Sequence, residues 1–96
     1  MAYDLLDYLS WQRRLELREL ELRDVIIWIE QQLHETRKVI WEVRNAEEEF
    51  DDFVLGSLIM DEIHLKKLLE QYSDELEESL LDMTHTRFMI ERLNYQ

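Results

Sequence analysis

The stretch Leu22–Val54, LRDVIIWIEQQLHETRKVIWEVRNAEEEFDDFV, decides the fold. Steps of four and three along it pick out Leu22, Ile26, Ile29, Leu33, Thr36, Ile40, Val43, Glu47, Phe50 and Val54, and eight of these ten are apolar. Such spacing averages 3.5 residues, the seam along which one helix packs on another. A strand would alternate every second residue instead.

A second seam follows: Leu65, Leu69, Tyr72, Leu76, Ser79, Met83, Thr86, Ile90 and Leu93, with seven of nine apolar. The two are out of register. Extending the first past Val54 meets Ser57, Asp61, His64, Leu68, Gln71 and Glu75, which are mostly polar. The slip is one residue and falls beside Gly56, the only glycine. A glycine free to take the left-handed conformation stops a helix. The expectation is therefore an all-α chain, a long antiparallel helical hairpin of coiled-coil type. Helix 1 spans about 4–55, the turn about 56–58 and helix 2 about 59–95, with Ser57 or Asp61 as cap. The rival is a single continuous helix, roughly 140 Å long at about 1.5 Å per residue.

Charge pairing favours the hairpin. Folding about residue 57 sets Arg44 near Glu70, Lys38 near Asp74 or Glu75, and Arg37 near Glu77 or Glu78. It also sets Arg23 near Glu91 and Arg92 near Glu21.

The 96 residues make one domain at most, and a chain with one Gly and no Pro must be built from few, long elements. No Cys means no disulfide framework and no thiolate site. The longest apolar runs are far shorter than a membrane span, and the N-terminus lacks the pattern of a signal peptide. The expected location is cytoplasmic.

The net charge of −12 is unevenly spread: residues 45–83 hold thirteen acids and two bases. That field repels nucleic acid and anionic membrane and attracts a basic surface. Two blocks carry it, Glu47, Glu48, Glu49, Asp51 and Asp52, then Asp74, Glu75, Glu77 and Glu78.

Association is expected from apolar excess. Val25, Ile26, Ile27, Trp28 and Ile29 are consecutive and cover the whole circumference of a helix, so one partner helix cannot cover them all. Phe88, Met89 and Ile90 form a second wide segment, which the fold about residue 57 sets opposite the first. The same pairing leaves roughly the first 17 residues, including Trp11, without an intramolecular partner. Leu55, Leu58, Ile59 and Met60 make an unusually apolar turn, and Trp41 flanks the seam. These residues are the expected interface of a homodimer or higher oligomer, in its simplest form a dimeric four-helix bundle.

Little chemistry is legible. Glu30–His34, Asp61–His64 and Asp82–His85 have one-turn spacing, which can hold a metal in a helical bundle, and the expected pairing brings the first and third together. No Glu-x-x-His pair occurs, however, and the histidines flank the seam rather than occupy it. Ser10, Ser57, Ser73 and Ser79 lack a nucleophile elbow, and one glycine cannot make a phosphate loop. No catalytic residue, metal site or cofactor is expected.

The expected function is non-enzymatic protein–protein interaction: an adaptor, assembly factor or inhibitor acting on itself and on another protein with a basic or apolar groove. The alternatives are an acidic nucleic-acid mimic, of the kind some phages use as inhibitors, and a metal-binding bundle.

Overall fold

The computed structural model describes residues 3–46 and 52–95. They form two long helices, α1 (Leu5–Arg44) and α2 (Asp52–Asn94), which make a helical hairpin; no strand occurs among the described residues.

A reciprocal cap starts α1. The Asp7 amide donates to the Asp4 carboxylate at 3.0 Å, and the Asp4 amide donates to the Asp7 carboxylate at 3.2 Å. This is a capping box built from two aspartates, and it satisfies amides that have no partner inside the helix. Asn45 ends α1. Its side-chain amide donates to the Trp41 carbonyl at 2.7 Å, and its backbone amide reaches the same oxygen at 3.0 Å.

The turn therefore comes earlier than expected. Helix 1 stops at Arg44 rather than near residue 55, and Gly56, Ser57 and Asp61 lie inside α2 instead of forming its turn and cap. Gly56 has no positive φ. A helical glycine costs only about 1 kcal/mol relative to alanine, and the seam on either side of it outweighs that.

The chain divides into two compact units. Unit 1 joins Met1–Asp24 to Ser73–Gln96, and unit 2 is Val25–Tyr72. In unit 1, Arg18 donates to Glu75 at 3.0 Å. In unit 2, Arg37 lies 3.8 Å from Glu62, which also meets Lys66 at 3.3 Å. Each of these cross-helix pairs is the pairing of a turn earlier than residue 57. The pairs expected from the later turn are replaced: Arg37 takes Glu62, Glu75 takes Arg18, and Arg23 bonds Glu19 on its own helix at 3.1 Å.

Each seam begins earlier than expected, while Glu47 and Phe50 of the first lie outside the described residues. On α1 it runs Leu5, Tyr8, Gln12, Leu15, Glu19, Leu22, Ile26, Ile29, Leu33, Thr36, Ile40 and Val43, every one buried or half-buried. On α2 it starts at Leu55, Leu58 and Glu62 and continues through the nine expected positions, also all buried or half-buried. Leu22 and Ile29 are the most deeply covered, each 1% exposed. Val54, expected on the first seam, is exposed on α2.

The N-terminal segment has intramolecular partners after all. With the turn moved earlier, it packs within unit 1. Tyr8 is buried, and Tyr3, Tyr8 and Trp11 meet edge to face with ring centroids 4.7–6.3 Å apart. Edge-on aromatic pairs contribute about 0.5–1.5 kcal/mol beyond their area.

Candidate interaction surface

Burying one stripe per helix leaves the rest of each helix to solvent, and that remainder is ordered. On α2, counting in sevens from Phe53 gives Met60, Lys67, Asp74, Leu81, Phe88 and Tyr95. This row lies opposite the seam on the same helix. Its apolar members are open: Phe53 78%, Met60 64%, Leu81 65%, Phe88 58% and Tyr95 84% exposed. On α1 another row of seven-residue spacing, Leu6, Arg13, Leu20, Ile27, His34 and Trp41, runs one residue past the seam rather than opposite it, and its four apolar members are also exposed.

The residues expected at an interface are split by the fold. Ile29 is buried in the chain's own seam, where Ile26, Leu55, Leu58 and Ile90 are half-buried. Val25, Ile59 and Met89 are half-buried beside it. Ile27, Trp28, Trp41, Met60 and Phe88 are exposed. Val25–Ile29 and Phe88–Ile90 belong to different units. The apolar tip Phe53–Met60 is not a turn but the start of α2, where Phe53, Gly56, Ser57, Ile59, Met60 and Asp61 line an open cleft of about 610 Å³.

Of the acidic residues, Glu47, Glu48, Glu49 and Asp51 lie outside the described residues. Asp52, Asp74, Glu77 and Glu78 are exposed, while Glu75 is half-buried against Arg18.

The two histidine pairs that the later turn sets together fall in different units. Asp82 and His85 line a cleft of about 370 Å³ in unit 1 with Trp11, Arg14, Leu15 and Thr86. Glu30 and His34 line another in unit 2 with Ile27, Gln31 and Glu35. Among the described residues no group of three or more His, Asp or Glu is placed to hold a metal ion. No described helix is long and apolar enough to cross a membrane.

Reading only the seams missed Leu81 and Lys67. Scanning α2 for a second seven-residue frame would have found both.

No family model, curated protein or solved structure matches the chain. The class is thus set by geometry alone, an all-helical hairpin with ordered apolar rows facing outward.

Proposed function

We propose that this chain is a non-enzymatic protein–protein interaction module that works as a self-associated acidic hairpin, two copies forming a four-helix bundle. One observation carries the reading. The chain exposes 7893 Å² at 11.9 kDa, whereas a folded monomer of that mass exposes about 6,000 Å². The excess is roughly 1,900 Å², and a stable interface needs about 800 Å² from each partner. The character of the surface agrees: among the described residues seventeen large apolar side chains are exposed and six are buried.

Once two copies have covered part of that excess, the remaining face is strongly acidic and suits a basic groove on a further protein, as an adaptor, assembly factor or inhibitor would use. Light scattering over a hundredfold concentration range tests the reading. A mass of twice the chain or more is expected; the chain mass at every concentration would overturn self-association.

A further inference from the structure

The outward row of α2 reads the same way in both directions, and that symmetry selects a partner. Its two charged members, Lys67 and Asp74, stand together in the middle, with apolar residues on both sides. Neither makes an ion pair among the described residues. A two-fold axis crossing α2 between Glu70 and Gln71 sets Lys67 opposite Asp74 of a second copy, and Asp74 opposite its Lys67. The same axis sets Met60 opposite Leu81 and Phe88 opposite position 53. Polar meets polar of opposite sign, and apolar meets apolar, at every position of the row up to Phe88. A parallel arrangement would instead stack Lys67 on Lys67 and Asp74 on Asp74, which repels.

We propose that α2 pairs antiparallel with α2 of a second copy of this chain through Met60, Lys67, Asp74, Leu81 and Phe88. This rests on the self-association proposed above and assigns its face and direction. The interface is isologous, each contact occurring twice. The apolar members supply the affinity by leaving water. The two Lys67–Asp74 pairs fix direction and register, the role charges flanking a helical seam serve. Tyr95 falls opposite position 46, which precedes α2, and so lies beyond the end of the partner helix.

Charge-swapped variants test the pairing. Lys67→Asp puts two acids opposite two acids in its own dimer, and Asp74→Lys puts two lysines opposite two lysines. Each variant alone should dimerise on the order of tenfold more weakly. Mixed in equal amounts they should form a heterodimer as tight as the unmodified pair, since every charged position then meets its opposite. Residues seven apart on one helix are about 10.5 Å apart along its axis, so recovery on mixing cannot come from within a chain. Far-UV circular dichroism should show both variants helical; if either is not, Lys67→Gln and Asp74→Asn replace them: a carbodiimide should join Lys67 to Asp74 between unmodified copies, join neither variant alone at these positions, and join the mixture, where one Lys67–Asp74 pair remains. A dimer unmoved by either reversal, or unrestored by mixing, overturns this face while self-association stands. An unmodified chain that stays monomeric overturns both, and the row is then left for a helix of another protein.

Discussion

Arg18 and Glu75 are fifty-seven residues apart in sequence and 3.0 Å apart in the fold. The pair marks the register of unit 1, because any other turn position would separate it. Its side chains are 51% and 36% exposed, so water screens it heavily. Arg18→Ala and Glu75→Ala should each lower stability by no more than about 1 kcal/mol, and a double-mutant cycle should give a coupling of about 0.2–1 kcal/mol. Chemical denaturation of the four proteins measures it. Zero coupling would mean that the two residues do not meet in solution.

Gly56→Ala distinguishes the two turn positions. At the sequence-expected turn, alanine would be strained in a left-handed conformation and should destabilise the protein. In the observed structure Gly56 is helical, and a Cβ added there meets nothing within 4 Å. Alanine should then raise stability by about 0.5–1 kcal/mol, a rise of several degrees in Tm for a domain of this size. A lower Tm would return the turn to residue 56.

Neighbouring residues in the apolar run should behave oppositely. Ile29 is almost fully buried and Trp28 is largely exposed. Ile29→Ala should cost about 2–5 kcal/mol through lost burial and the cavity left behind. Trp28→Ala should cost less than about 1 kcal/mol of chain stability, although it removes the larger side chain. Comparable losses from the two variants would show that Trp28 is covered in the assembled protein.

The helical class was legible because periodicity is a property of the whole element: twelve seam positions on each helix vote together, and a few polar ones such as Glu19 and Glu62 do not change the answer. The turn was misplaced because it depends on very few residues. Gly56 offered freedom without being required to use it, while Asn45 gave the quieter signal of a helix end, an amide able to turn back onto the preceding carbonyls. That error propagated. Moving the fold centre changed every expected cross-helix ion pair, gave the N-terminal aromatics partners within the chain, and assigned the two histidine pairs to different units. The outward rows, which the seams alone did not reveal, are independent of that error, since spacing along one helix does not depend on where the turn lies.

Ser79 occupies a seam position on α2, is 7% exposed, and its hydroxyl has no hydrogen-bond partner among the described residues. A buried hydroxyl left unpaired costs about 1–3 kcal/mol, and serine is also a poorer helix former than alanine. Ser79→Ala removes both penalties while deleting one atom, so it should stabilise the protein by about 1 kcal/mol or more. Thermal melting at fixed protein concentration measures this, since the proposed self-association would make Tm depend on concentration. The gain should come with a loss of specificity: a seam made more uniformly apolar has less to distinguish one register from its neighbours. Ser79→Leu should push further, raising helix–helix affinity while broadening the distribution of oligomers seen by light scattering. A destabilised Ser79→Ala would show that the hydroxyl is bonded in solution, most simply to the carbonyl one turn before it, as Thr84 bonds Leu80 at 3.0 Å.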